Sequence, residues 1–320
     1  MTIPAIIDCD PGHDDAMAIL LGARTLNLQG ITSVHGNVSL AQTSRNARQV
    51  VELADLTHIP VAAGLARPLV RAPVHAPEVH GQTGLDGPNL PPPTVPLAKA
   101  HAVEFITATS RAVPGLYLVP TGPLTNVAVA LHRDPDLAGR LAGISLMGGS
   151  VTFGNSTPAA EFNIWCDPEA AHVVFGSGVP IKMVGLNVTR QVAATPERRT
   201  QIRSLGTRTA KAVAEMLDFY SERLQRLFGL PGGSMHDPLA VAALVDPEIL
   251  TFEPMHVAVE LHGEHTYGMT VCDYRHLRAD NLAAGAEGVS RGAPPNAEVA
   301  VAVRPDRFWE LFLDVLATYP

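Results

Sequence analysis

The sequence predicts an α/β fold: a single domain, residues 1–320, with a mainly parallel central sheet flanked by helices, open and Rossmann-like, with extra C-terminal strands. Two observations predict it. Short runs rich in Val and Ile alternate with segments of helical spacing, the pattern of crossover units that join parallel strands. Those runs are continuously apolar rather than alternating, as strands covered on both faces require.

In chain order, the strand Ala5 to Asp8 leads into a helix from Asp14 to Leu26, and the strand Gly30 to His35 into a helix from Ala41 to Ala54. A third strand, Ile59 to Ala63, precedes Arg67 to Pro96, a long irregular stretch of the kind that is commonly functional. Then come a helix Ala100 to Ala112, a strand Gly115 to Pro120, a helix Leu124 to Leu131, a strand Gly143 to Met147, a helix Pro168 to Phe175 and a strand Pro180 to Leu186. The helix Arg208 to Phe228 carries Val213, Met216, Leu217, Tyr220, Leu224 and Leu227 at spacings of three and four, an apolar stripe that reads as core packing. After Leu250 the pattern turns to hairpin-like strands, Met255 to Leu261 and Tyr267 to Asp273, then a strand Glu298 to Val303 and a terminal helix from Pro305. No internal repeat or linker interrupts the series.

A net charge of −8 and the absence of any Lys/Arg run argue against a nucleic-acid or membrane-surface partner. Cys9, Cys166 and Cys272 stand at no metal-ligand spacing and read as buried reduced thiols. No apolar run approaches a membrane span, and no basic segment followed by a cleavable apolar one precedes Ile3, so the expected location is the cytoplasm.

The turn after the first strand is the most informative segment. Asp8, Asp10, Asp14 and Asp15 put four carboxylates into eight residues. Two unit charges about 4 Å apart repel by roughly 4 kcal/mol at an effective dielectric near 20, so converging carboxylates call for a cation. Hard oxygen donors suit Ca²⁺ or Mg²⁺ better than zinc. Acidic residues at a helix N-terminus are the plainer alternative. Further polar turns fall at later strand ends, where open α/β sheets bind ligands: His35-Gly36-Asn37, Thr121-Gly122 and Met147-Gly148-Gly149-Ser150. Asn155 to Asn163 concentrates amides and a carboxylate, and His236-Asp237 stands just before a helix. Phosphate-loop and dinucleotide motifs do not follow any strand, and His262-Gly263-Glu264-His265 reads as a polar turn.

Taken in order, these segments resemble the nucleoside hydrolase family, the inosine-uridine-preferring N-ribohydrolases. The family signature DxDPGxDDA is similar to Asp8 through Ala16, and the likeness continues through Gly36-Asn37, His80-Gly81, Thr121-Gly122, Met147-Gly148-Gly149, Glu161-Phe162-Asn163 and His236-Asp237-Pro238. The resemblance implies Ca²⁺-dependent hydrolysis of ribonucleosides to free base and ribose. It implies a metal held by Asp10, Asp15, Asp237 and the Thr121 carbonyl, with Asp10 also deprotonating the attacking water. Ribose hydroxyls would meet Asp14, Asn37 and Asn163, the 5′-hydroxyl Asn155 and Glu161, with Met147 under the sugar and Phe162 beside the substrate. His236 would protonate the departing base, with His80 as second candidate.

His13, the His80 to Pro88 loop and Asn155 to Asn163 look most like the pyrimidine-preferring members; purine or broad specificity is the alternative. One departure bears on the base: no Tyr lies between Arg223 and Pro231, where Leu224, Gln225 and Phe228 stand instead. The family also implies a homo-oligomer, a tetramer or dimer. More remote readings are a haloacid dehalogenase-type phosphohydrolase, suggested by Asp8-x-Asp10 but lacking the Thr expected where Gly12 stands, and a non-catalytic nucleoside-binding protein.

Overall fold

Strand order decides where a ligand can sit in this chain. A computed structural model describes residues 2–275 and 292–320. Its strands are β1 (Pro4–Cys9), β2 (Asn27–Ser33), β3 (Val61–Ala63), β4 (Tyr117–Pro120), β5 (Gly143–Met147), β6 (Ile181–Val184), β7 (Ala193–Ala194), β8 (Gly233–Ser234), β9 (Leu250–Met255), β10 (Val257–Val259), β11 (Thr270–Cys272) and β12 (Ala297–Val303). Eight of them form one sheet in the order β3-β2-β1-β4-β5-β6-β12-β9. All neighbours in it are parallel except β9, which runs antiparallel to β12.

The chain winds outward in one direction from β1 to β3 and in the other from β4 to β6. The reversal between β1 and β4 opens a crevice at their carboxyl ends, the switch point at which such sheets bind ligands. Register fixes the crevice walls, since Asp8 of β1 lies opposite both Thr32 of β2 and Pro120 of β4.

Successive residues of β1 feed opposite faces of the sheet. Ile7 packs with the helices His13–Thr25, Arg208–Phe228, Pro238–Val245 and Pro305–Leu316. Ile6 packs with Ala102–Ala112, Thr125–Arg133 and Pro168–Phe175. Two cores result, one on each face, and both faces of β1 are buried as its unbroken apolarity predicts.

The hairpin expected after Met255 is the antiparallel pair of β10 and β11. The strand β9 was not legible. It is an edge strand with Glu253 and Pro254 and a mostly half-exposed surface, so it lacks the apolar run that marks a central strand. Helix Pro196–Ser204, capped by Thr195 accepting from the Arg198 N–H, was also missed, because only Ile202 of its residues is buried. The stripe on Arg208–Phe228 is buried through Leu224, whereas Leu227 is exposed. All three cysteines are buried and unpaired. Among the described residues no helix is long and apolar enough to cross a membrane.

Candidate active site

Above the crevice lies a cavity of about 320 Å³, within the size range of small-molecule sites, roughly 300–1,000 Å³. Its floor is built from the turn after β1. Asp10, Asp14 and Asp15 are buried there together with Asp237, which arrives from the turn before helix Pro238–Val245. Short-range geometry explains how the acids are held. Asp15 accepts from the Gly12 N–H at 2.9 Å and from the Thr121 hydroxyl at 2.8 Å. Asp10 Oδ2 accepts from the Asn37 N–H at 2.7 Å. The Asp10 carboxylate is wedged between two glycines: a Cβ at Gly36 would come within 1.9 Å of Oδ2, and one at Gly122 within 2.5 Å of Oδ1. Only hydrogen fits at either position.

This floor is electrostatically strained. Burial, and then repulsion by neighbouring carboxylates, pushes Asp10, Asp14 and Asp237 well above the usual range, and burial raises Asp15 to about 6. Oxygens of Asp14, Asp15 and Asp237 lie within 4.8 Å of one another. Asp10 Oδ1 is buried without a hydrogen-bond partner among the described residues. An all-oxygen donor set with a spare buried lone pair fits a hard divalent cation. Asp10 is not one of the three clustered acids, and Asp14, read as a ribose contact, is. The Thr121 carbonyl accepts from Asn163 Nδ2 at 2.7 Å.

One wall comes from residues 147–163. Glu161 caps helix Phe162–Cys166, its carboxylate accepting from Asn163 N–H at 2.9 Å, Ile164 N–H at 3.2 Å and Gly149 N–H at 2.9 Å. Burial still raises it to about 7. Asn155 accepts from the Phe162 N–H at 2.9 Å, and Met147 and Phe162 line the cavity beside it.

Beside the turn after β1 stand imidazoles and aromatics. His80 Nδ1 lies 3.2 Å from His13 Nδ1, and His13 Nε2 donates to the Asp86 carbonyl at 2.8 Å. Tyr220 stacks on both rings, with centroids 5.4 Å from His13 and 5.2 Å from His80. His236 Nδ1 lies 2.6 Å from the Thr189 hydroxyl. Burial lowers His13 to about 4 and His236 to about 3, and holds His80 well below the usual range.

Asp14, Asn37, His80, Thr121, Met147, Asn155, Glu161, Phe162, Asn163, His236 and Asp237 all line this one cavity, with Asp10 and Asp15 packed beneath it. Sequence reasoning missed Tyr220, Arg190 and Trp165, which also line it. The spacing of Tyr220 fits the buried stripe and reads as core, yet the residue is both buried and cavity-lining. Of the residues standing where a Tyr was sought, Leu224 and Phe228 line the cavity.

The sequence description of the inosine-uridine preferring nucleoside hydrolases matches residues 5–310. The chain belongs to this nucleoside hydrolase family. A relative within the curated proteins, the pyrimidine-specific ribonucleoside hydrolase RihA of Escherichia coli (strain K12), is 42% identical over 323 residues and aligns over 100% of both chains. Among solved structures, the purine-preferring ribonucleoside hydrolase from Gardnerella vaginalis superposes with a TM-score of 0.88 at 33% identity, covering 98% of each chain. An inosine-guanosine nucleoside hydrolase superposes at 0.85 with 30% identity over 99% of each. As a nucleoside hydrolase, the chain is an N-glycosyl hydrolase. Membership in this family removes the phosphohydrolase and the binding-only readings.

Proposed function

We propose that this nucleoside hydrolase is Ca²⁺-dependent and prefers pyrimidine ribonucleosides, uridine or cytidine, releasing free base and ribose. One observation carries the reading: crowded buried carboxylates and uncharged imidazoles line one cavity of about 320 Å³. Such a lining offers carboxylates to a polar sugar and rings to a flat base. Full-length likeness to a pyrimidine-specific relative supports the base choice.

Asp10, Asp15, Asp237 and the Thr121 carbonyl would hold Ca²⁺, which when bound lowers the pKa of a water and orients the ribose diol. Asp10, fixed by the Asn37 N–H and two glycines, takes the proton of the attacking water at its free Oδ1. Asp14, Asn37 and Asn163 contact the ribose hydroxyls, and Asn155 and Glu161 the 5′-hydroxyl. The sugar then develops oxocarbenium character, which the surrounding acceptors stabilise. Met147 and Phe162 exclude water from the sugar. His236, whose Nδ1 lies 2.6 Å from the Thr189 hydroxyl, would in the tautomer protonated at Nε2 present that N–H to the leaving base. His80 is aimed at the same end by His13 and Tyr220. The unpaired buried thiols support a cytoplasmic setting, and a dimer or tetramer is the expected assembly.

The test is free ribose released from uridine, cytidine and inosine, before and after dialysis against chelator and readdition of Ca²⁺. Faster turnover of inosine, or chelator-resistant turnover, contradicts the corresponding half of the reading.

A further inference from the structure

Among the described residues that line the cavity, Arg190 is the sole Lys or Arg. It follows the short helix Leu186–Thr189, half-buried, with its guanidinium carbon 4.9 Å from the centre of the Phe153 ring. No ion pair ties it to a carboxylate among the described residues, although an unpaired, partly desolvated cation is costly unless something anionic meets it. Its chain neighbour Thr189 is hydrogen-bonded to His236 at 2.6 Å, and the groups on which its charge acts are His236 and Tyr220. A cation thus lines the cavity on the side of His236 and Tyr220.

We propose that Arg190 is a catalytic residue whose guanidinium stabilises the negative charge that appears on the departing pyrimidine. This rests on the assignment of the His236 end to the base. When the C1′–N1 bond breaks, its electron pair goes to the base, and the charge spreads onto the ring carbonyl oxygens. Water oxygen bonds to C1′, the proton it loses goes to the Asp10 carboxylate and on to solvent, and the base takes up one proton. Uracil and cytosine carry a carbonyl, O2, directly beside the glycosidic nitrogen, where the planar guanidinium can donate to it. A purine has no oxygen beside its glycosidic nitrogen, so this cation favours pyrimidines.

The experiment compares kcat and KM of the unmodified enzyme, Arg190→Met and Arg190→Lys on uridine and on 5-fluorouridine, whose fluorine makes the departing base a weaker base needing less help. Uridine 5′-monophosphate is included as an anionic ligand of another kind. Removing a donor that acts on transition-state charge typically costs on the order of 10²-fold in kcat. Arg190→Met should lose about that much on uridine and at least about tenfold less on 5-fluorouridine, with KM nearly unchanged and Arg190→Lys intermediate. Equal losses on both nucleosides, or none, overturn the proposal, as does a loss confined to the monophosphate. If the unmodified enzyme turns over inosine but neither pyrimidine nucleoside, the base assignment fails first. Parallel losses with normal unmodified turnover sink the Arg190 role alone.

Discussion

Gly122→Ala offers a sharp test of how closely the catalytic floor is built. Its backbone is not in the left-handed region, so the substitution adds volume without backbone strain. The new Cβ would lie 2.5 Å from Asp10 Oδ1 and 2.9 Å from its Cγ. Ordinary contact begins near 3.4 Å, so the carboxylate must retreat by 3.4 − 2.5 = 0.9 Å. Displacing a reacting group by about 1 Å costs on the order of 10²-fold in rate, equivalent to about 2.7 kcal/mol of activation free energy. Overpacking a buried site also lowers stability by about 1–3 kcal/mol.

The matched control is Gly115→Ala, where a Cβ meets nothing within 4 Å but φ is +75°. Its left-handed backbone predicts a loss of about 1–2 kcal/mol in stability with kcat unchanged. Both variants would be measured by urea unfolding and by ribose release from uridine. A Gly122→Ala enzyme within about threefold of normal kcat would refute the claim that Asp10 is held to its working position by that glycine.

Other outcomes follow from the same geometry. Asp237→Asn removes one of three carboxylates whose oxygens lie within 4.8 Å, so Ca²⁺ affinity by isothermal titration should fall together with kcat; intact affinity would remove Asp237 from the cage. Deleting the 2′-hydroxyl strands polar partners at about 1–3 kcal/mol each, so 2′-deoxyuridine should be hydrolysed at least about tenfold more slowly than uridine. Equal rates would contradict the ribose contacts. Burial, and then His75, lowers buried His35 from 6.5 to about 4, so its stabilising contribution is present above 6.5 and lost as pH falls through that window toward 4. His35→Gln should therefore soften the loss of stability between pH 7 and pH 5 by about 2 kcal/mol in urea unfolding, and an unchanged slope would rule this out.

The first turn of the site was legible because its chemistry is local. Asp10, Asp14 and Asp15 lie within one strand-to-helix turn, so their spacing alone brings the carboxylates together, and unbroken apolar runs marked the parallel strands. Asn37, Thr121 and Met147 were legible for a related reason: strands in a parallel sheet end side by side, so polar turns after them converge, whereas Asn163, inside the helix Phe162–Cys166, was legible only through the family resemblance. Tertiary structure alone decided the rest of the cavity lining. Tyr220 sits on a helix at the same three-and-four spacing as Val213 and Leu217, and periodicity gives the face of a helix but not whether that face meets a core or a cavity. Arg190 and Trp165 become cavity residues only because β6 and helix Phe162–Cys166 are brought alongside the crevice by sheet order. The sequence by itself determined which charges had to be neutralised, because repulsion at short chain separation is unavoidable. Which rings and cations line the cavity depended on contacts between segments far apart in the chain, and these exist only once the sheet has closed on its helices.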